Sequence, residues 1–398
     1  MKIYIITDKC NGCKICLKKC NYEAIEMKDN KAFIKPNCIY CGICVELCPQ
    51  KAIMLEIPKV SSESNKGDFW IYIEKDENGS IIDSSLEIVS KIREINTNLE
   101  CRICGVFIGN DFSSEDIKKI ELTGVNKLIQ IKLSKDEGYD VIHYADILSD
   151  LCNEYKPVMF LFPATEIGRD LAPRLATKIE TGLTADCTEL SFDSYTGLLV
   201  QTRPAFGGDL MASIVCPERR PQMATIRPHS FKITESNIKG NVEVKIIEDK
   251  YSNFEKSYIT ISKDPIIRDY PSIEEMKILI SVGRGIGSED NIKLIRDFAE
   301  SIGAGISCTR PIVDKGWLPQ YLQVGLSGKS VAPKLYIALG ISGSIQHLVG
   351  MQNSEYIIAV NKDENSPIFK VAHLGIIADL KLALPEIIRY LGKVTQQQ

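Results

Sequence analysis

Eight cysteines crowd the first 48 residues, and they do so on a rule. Cys10, Cys13, Cys16 and Cys20 recur as Cys38, Cys41, Cys44 and Cys48, each displaced by 28 positions, and Ala24-Ile25 recurs as Ala52-Ile53 at the same offset. Each run reads C-x2-C-x2-C-x3-C, the pattern that holds a 4Fe–4S cluster. Short spacers let three thiolates converge on one cube, and the fourth, after a longer step, ligates the neighbouring cube. This reading places Cys10, Cys13, Cys16 and Cys48 on one cluster and Cys38, Cys41, Cys44 and Cys20 on the other. Gly12 and Gly42 relieve crowding and leave backbone N–H groups free for cluster sulfur. Zinc usually takes two CxxC pairs rather than two four-cysteine runs. A secreted disulfide scaffold needs a signal peptide, and the early charges Lys2, Asp8 and Lys9 leave no room for its apolar core.

A second stretch with chemical potential is Leu335–Met351. Leu335 to Leu339 reads as a strand, Gly340 to Gly343 as a tight turn of small residues, and Ser344 to Met351 as the start of a helix. A strand feeding a helix through glycines cradles a nucleotide phosphate, because free N–H groups and the dipole end both favour an anion. The pattern is not the GxGxxG fingerprint, and Gln346 and His347 add two hydrogen-bonding side chains beside the loop.

These residues need elements to hold them. A chain of 398 residues suggests two or three domains. Its formal net charge of −4 gives no support for a nucleic-acid or anionic-membrane surface, and no run approaches the ~18 apolar residues of a membrane span. A cytoplasmic location is the expectation. Residues 58–67 read as a linker. From there the texture is α/β, with strands at 70–73, 104–108, 127–131 and 157–162, and helices at 86–95 (capped by Ser84 or Ser85), near 114–121 and over 144–155. The alternation predicts a parallel sheet with crossover helices. Ile167-Gly-Arg-Asp-Leu-Ala-Pro-Arg174 opens a helix, in which Pro173 is tolerated if it lies in the first turn. Arg203, Arg219, Arg220 and Arg227 either pair with carboxylates or bind an anion. Strands at 242–247 and 258–261 close this part, and 263–275 is a junction. Residues 276–398 repeat the rhythm: strand 278–282, Gly283-Arg-Gly-Ile-Gly287, helix 291–302, the loops Cys308–Asp314 and Leu322–Lys329, strand 356–360 before Asn361, and strand 375–378 before Asp379. Such loops converge at the C-terminal edge of one sheet. Cys101, Cys104, Cys187, Cys216 and Cys308 read as core or incidental thiols, and Met351 as core packing.

The N-terminal run is similar to bacterial two-cluster ferredoxins; Pro49 follows Cys48 as usual there, whereas Asn21 follows Cys20 in place of proline. Residues 68–398, and above all Leu335–Met351, resemble the alpha subunit of electron-transfer flavoproteins. The resemblance implies an α/β chain in three parts: an α+β ferredoxin-like domain (1–57) with two 4Fe–4S clusters, a central parallel-sheet domain (68–262) packing on a beta subunit, and a doubly wound FAD-binding domain (276–398). It implies FAD contacts from Arg284, Thr309, Arg310, Val324, Gly325, Leu326, Ser327, Ser342, Gly343, Ser344, Ile345, Gln346, His347, Asn361 and Asp379. Within that set Arg310 would lie against the flavin ring and favour its reduced, anionic form. Ser327 would hydrogen-bond near N5, His347 would donate to the C2 carbonyl oxygen, and Asp379 would hold a ribose hydroxyl.

No acid–base pair or nucleophile triad stands out, so an electron carrier is expected rather than a bond-making enzyme. The resemblance implies a heterodimer with a beta subunit that takes electrons from NADH. Ferredoxin would be one acceptor and an acyl-CoA dehydrogenase-like enoyl-CoA reductase the other, by electron bifurcation. A lactate-type dehydrogenase is the alternative partner, and a redox scaffold or a self-contained flavin oxidoreductase are rivals of other classes.

Overall fold

The computed structural model describes residues 2–38, 40, 42–56, 67–96, 101–134, 138–193, 196–205, 210–236, 242–250, 261–262 and 269–395. Cys41, most of the 58–67 linker, the strand expected to begin at Tyr258 and much of the 263–275 junction lie outside them. The chain divides into two compact units: Met1–Lys66 with Phe192–Leu199 and Val215–Glu218, and Gly67–Ser191 with Val200–Ile214 and Arg219–Gln398. Among the described residues no helix is long and apolar enough to cross a membrane.

The first unit runs β1 (Lys2–Ile5), α1 (Ile15–Lys19), β2 (Ile25–Lys28), β3 (Lys31–Ile34), α2 (Ile43–Glu46) and β4 (Ile53–Glu56). β1 pairs antiparallel with β4, and β2 with β3. Asp29 and Asn30 turn the β2–β3 hairpin with φ of 47° and 59°, the two positive values that a two-residue loop matched to strand twist requires. The sequence repeat is a backbone repeat. Left-handed residues come in pairs 28 apart: Gly12 and Tyr40, Lys14 and Gly42, Glu23 and Lys51. Each half thus has the same two left-handed positions in its cysteine loop and spends its glycine on a different one. Ile25, Ala32, Ile53 and the sulfur-bearing Cys16 and Cys44 form the core.

The second unit begins with β5 (Phe69–Tyr72), α3 (Asp83–Ile95), β6 (Ile103–Ile108), α4 (Ser114–Thr123), β7 (Lys127–Lys132), α5 (Val141–Tyr155), β8 (Met159–Pro163), α6 (Glu166–Lys178), β9 (Leu183–Cys187), β10 (Glu189–Phe192), β11 (Leu199–Ala205), β12 (Leu210–Ile214), β13 (Gln222–Ile226) and β14 (Glu243–Glu248). Seven of these strands form one sheet in the order β14-β7-β6-β5-β8-β13-β9 with parallel pairing, and β10-β11-β12 form a small sheet. The parallel sheet follows from strands such as β5 and β8, buried at every position, since helices cover both faces. Two local expectations need correction. Ser84 and Ser85 lie inside α3, which starts at Asp83 after an uncapped Ile82; the Ser85 hydroxyl donates to the Tyr72 carbonyl instead. Pro173 sits in the interior of α6 rather than its first turn, two turns beyond the start that Thr165 caps by accepting from the Gly168 N–H. Met351, Cys104, Cys187 and Cys308 are buried in the cores.

The C-terminal part runs β15 (Ile278–Val282), α7 (Asp290–Ser301), β16 (Gly305–Cys308), α8 (Arg310–Asp314), β17 (Leu335–Leu339), α9 (Ile345–Leu348), β18 (Tyr356–Asn361), β19 (Leu374–Ile377) and α10 (Leu380–Thr395). Its five strands are parallel in the order β16-β15-β17-β18-β19. The chain therefore starts in the sheet's interior, winds outward one way, and reverses between β15 and β17. At such a reversal the loops leaving two neighbouring strands turn in opposite directions and open a crevice. The loops there are Gly283–Gly287 and Gly340–Ser344. The helix expected over Ser344–Met351 is only the four residues of α9, followed by turns.

Candidate functional site

The first unit gathers its sulfurs into two sets. Burial pushes the Cys16 thiol up, and the neighbouring sulfurs of Cys13, Cys10 and Cys48 push it further. Those four are the set that the spacing assigns to one cluster. A small cavity is lined by Cys20, Cys38 and Cys44 together with Gly42, Ile25 and Ile34, the described members of the other set. Backbone donors reach the sulfurs with the same repeat: the Ala24 N–H lies 3.2 Å from Cys20 Sγ and the Ala52 N–H 3.3 Å from Cys48 Sγ. Tyr40 N–H lies 3.4 Å from Cys38 Sγ, and Lys31 donates to the Cys10 carbonyl. Backbone donors aimed at sulfur stabilise thiolate. The donor set, all sulfur with backbone N–H support, fits clusters.

In the second unit a cleft of about 570 Å³ opens at the β15/β17 reversal, within the usual range of ~300–1,000 Å³ for a cofactor site. Of the fifteen residues expected there, Arg284, Thr309, Arg310, Val324, Gly325, Leu326, Ser327, Ser342, Ser344, Gln346, His347 and Asn361 line it. Gly343, Ile345 and Asp379 do not. Gly343 packs on the Ile368 backbone, where a Cβ would lie 2.3 Å from nitrogen. Ile345 is exposed beside the cleft. Asp379 follows the edge strand β19, with β18 standing between it and the reversal, and its carbonyl starts α10 by accepting from Leu382 and Ala383.

The cleft is built largely of backbone. Gly283 and Gly285 approach the Gly340 backbone closely enough that a Cβ on either would clash with it, and the Gly285 N–H donates to the Gly340 carbonyl at 3.0 Å. Leu326 N–H donates to the Gln346 carbonyl at 2.6 Å, tying the Val324–Ser327 loop to α9. Gln323 Nε2 donates to Ser327 Oγ at 2.9 Å, which leaves the Ser327 proton to point elsewhere. Asn361 is spent on structure: its Nδ2 donates to the Ile341 carbonyl (2.8 Å) and Ser366 Oγ (3.1 Å), while Ser366 donates to the Ser342 carbonyl. Asp363 and Ser366, which line the cleft, escaped sequence reading. Their signal is the run of Asx turns after β18, in which Asp363 N–H and Asn365 N–H bond to the side chains two residues before them.

His347 is held differently from the expectation. Its ring is buried, with Nδ1 3.0 Å from the Val324 carbonyl and Nε2 3.0 Å from the Tyr336 hydroxyl. A carbonyl only accepts, so Nδ1 carries the proton. Burial pushes the ring's pKa down from 6.5 to about 4, against the Val324 hydrogen bond. The neutral ring therefore offers a bare Nε2 to Tyr336, and in this arrangement has no proton for a flavin carbonyl. A pH dependence follows. The folded ring binds its proton more weakly than the unfolded one, so its contribution is intact above pH 6.5 and is lost as pH falls toward 4. Urea unfolding of the apo chain should lose on the order of 3 kcal/mol across that window through this group, and His347→Gln should flatten that part of the profile.

Arg227 is buried and lies 3.7 Å from Asp186, which Arg169 also engages at 3.0 Å. It also donates to the Leu326 carbonyl of the cleft loop. Of the two expectations for the arginines, this one meets the carboxylate pair. Arg310 is largely exposed, 3.7 Å from Asp314.

Comparison with known proteins adds three family matches. Residues 69–250 match the electron transfer flavoprotein domain, 272–352 the electron transfer flavoprotein FAD-binding domain, and 9–53 the 4Fe-4S dicluster domain. Protein FixB of Clostridium saccharobutylicum is 41% identical over 319 residues, 80% of this chain and 94% of its own length. Subunit LctC of the lactate dehydrogenase (NAD(+),ferredoxin) of Acetobacterium woodii is 37% identical over 387 residues, 96% of this chain and 84% of its own. The acryloyl-CoA reductase electron transfer subunit beta of Anaerotignum propionicum is 37% identical over 349 residues, 81% of this chain and 94% of its own.

Proposed function

The chain belongs to the electron-transfer flavoprotein alpha family and carries its FAD-binding domain and an iron–sulfur domain, and from that premise we propose that it is one arm of a branched electron path. Electrons from NADH, entering through a beta subunit, would divide between ferredoxin and a partner flavin reductase, by bifurcation. The observation that carries this reading is the sorting of the described cysteines into two sets in a chain that also has a nucleotide cleft at its sheet reversal. We assign Cys10, Cys13, Cys16 and Cys48 to one 4Fe–4S cluster and Cys20, Cys38, Cys41 and Cys44 to the other.

FAD, when bound, supplies one- and two-electron chemistry. The chain's residues bind and orient it. The Gly283–Gly285 and Gly340 turns let backbone approach the pyrophosphate. Thr309, Arg310 and the Val324–Ser327 loop, which line the cleft, would hold the flavin ring, with the Ser327 proton left free by the Gln323 donor. Arg284 and Arg310 would add positive charge that favours a reduced ring. His347 acts by holding the Val324 carbonyl and Tyr336 in place.

An enoyl-CoA reductase is the first partner proposed, in keeping with the acryloyl-CoA reductase subunit among the relatives. A lactate-type dehydrogenase is a second reading, favoured by the LctC match, which extends over 96% of this chain rather than the 81% of the reductase subunit. The test is to mix the purified complex with NADH, ferredoxin and crotonyl-CoA, or pyruvate in a second arm. Ferredoxin reduction should require the acceptor. Reduction that proceeds equally without it would sink bifurcation and leave simple electron transfer.

A further inference from the structure

The internal repeat of the first unit provides its own control for surface chemistry. The cysteine pattern and the backbone conformations repeat at an offset of 28, but the charge does not. Residues 8–19, around the first cysteine loop and α1, hold Lys9, Lys14, Lys18 and Lys19 against Asp8 alone. The matching residues 36–47 hold no lysine and one acid, Glu46. Lys9, Lys14, Lys18 and Lys19 are all exposed, and among the described residues no ion pair engages them, although the chain as a whole carries −4. Lys14 and Lys18 lie one turn apart, since the Lys18 N–H donates to the Lys14 carbonyl, so their charges share a face.

Both halves expose apolar side chains, Ile15 and Leu17 in the first and Tyr40 and Leu47 in the second, but only those of the first stand among lysines. Ile15 and Leu17 are 37% and 36% exposed, whereas their counterparts Ile43 and Val45 are half-buried. Cys13, a proposed cluster ligand beside Lys14 in the sequence, is also exposed. An exposed ligand sulfur brings the redox centre close to a docked molecule, exposed aliphatic side chains supply the dry centre of an interface, and a cluster of lysines without ion-pair partners among the described residues steers an oppositely charged partner. Packing needs of the fold do not explain the lysines, because the other half of the repeat folds the same way without them.

We infer that the surface formed by Lys9, Cys13, Lys14, Ile15, Leu17 and Lys18 docks a small acidic iron–sulfur carrier protein and passes one electron between the Cys10/Cys13/Cys16/Cys48 cluster and the carrier's own cluster. In the exchange no bond forms or breaks: one reduced cluster is oxidised by one electron and the carrier is reduced by one, NADH being the ultimate donor. The inference rests on the proposed route through the clusters and names its exit.

The test uses the complete complex with its beta subunit, an acidic bacterial two-cluster ferredoxin as probe, and basic cytochrome c as the opposite-charge probe. In Lys9→Glu/Lys14→Glu/Lys18→Glu, kcat/KM for ferredoxin at low salt should fall about tenfold or more, and its decline with ionic strength should vanish. The cytochrome c rate should not fall, and iron content should match the unsubstituted complex. Lys14→Gln/Lys18→Gln should give a smaller loss in the same direction, which guards against a folding defect in the triple variant. Unchanged ferredoxin kinetics in both iron-replete variants, or an equal loss with both probes, would overturn the docking surface while leaving the electron route intact. Ferredoxin that binds the unsubstituted complex in calorimetry, loses that binding in the triple variant and yet is never reduced would uphold the surface and sink the route. Absence of both binding and reduction would sink the two together.

Discussion

Removing Cys48 should empty the cluster held by the first cysteine loop, not the one held by the loop in which Cys48 itself sits. In Cys48→Ala, iron should fall from about eight to about four per chain, with the loss measured by iron analysis and by the electron paramagnetic signals of the reduced protein. The crosswise arrangement is what makes the result informative. Cys16 senses the sulfurs of Cys13, Cys10 and Cys48, whereas Cys20 shares a cavity with Cys38 and Cys44. Double variants separate the two assignments. Cys16→Ala/Cys48→Ala should retain about four irons, because both changes strike one cluster. Cys44→Ala/Cys48→Ala should lose nearly all of them. If ligands were drawn from contiguous runs, those two outcomes would be exchanged. The expected loss is large because a cube with three thiolates has an open iron corner on a surface where Cys13 is already exposed.

What was legible in the sequence follows from what kind of order each feature has. The cysteine repeat could be found by subtraction, and it reappears as pairs of left-handed residues 28 apart. Strands such as β8 and β17 were legible because burial on both faces demands unbroken apolar runs, whereas β9, β13 and β16, which carry Thr184, Asp186, Gln222, Thr225 and Ser307 among their apolar residues, were not read as strands. The ends of helices were less so. Ser84 and Ser85 have the chemistry of caps but lie within α3, because a hydroxyl has a second use in bonding to the strand carbonyl of Tyr72. Pro173 was read as tolerable in a first turn, and the start of α6 is set by Thr165, whose cap no apolar periodicity signals. In the cleft, motif residues were legible by type, while their hydrogen-bond assignments were not. The two ring nitrogens of His347 are engaged by Val324, far away in sequence, and by Tyr336 on the neighbouring strand. Asn361 likewise reads as a ligand contact until Ile341 and Ser366 are seen to take its amide. Side-chain partners set by tertiary approach leave no periodic trace.

Gly340→Ala is expected to cost the chain its FAD. Gly340 has φ of 65°, a region that costs an L residue about 1–2 kcal/mol. The larger obstacle is space: a Cβ there would lie 2.6 Å from Gly285 Cα and 2.7 Å from the Gly285 carbonyl carbon. Both contacts are backbone, so no side chain can rotate away, and relief requires the two loops to part. Parting them stretches the Gly285 N–H to Gly340 carbonyl bond and widens the crevice where the pyrophosphate would meet backbone. Overpacking of this kind costs about 1–3 kcal/mol in stability, and about the same lost from binding weakens FAD roughly ten- to a hundredfold. The measurement is flavin absorbance retained through gel filtration, with titration of the apo chain by FAD. Gly303→Ala is the control that separates strain from space. Its φ is 65°, the same as that of Gly340, yet an added Cβ meets nothing within 4 Å. That variant should lose about 1 kcal/mol of stability and keep its flavin. If instead both alanine variants retained FAD equally, the contact between the Gly283–Gly285 and Gly340 turns would be a feature of folding alone, and the cradle would have to be sought elsewhere along the cleft.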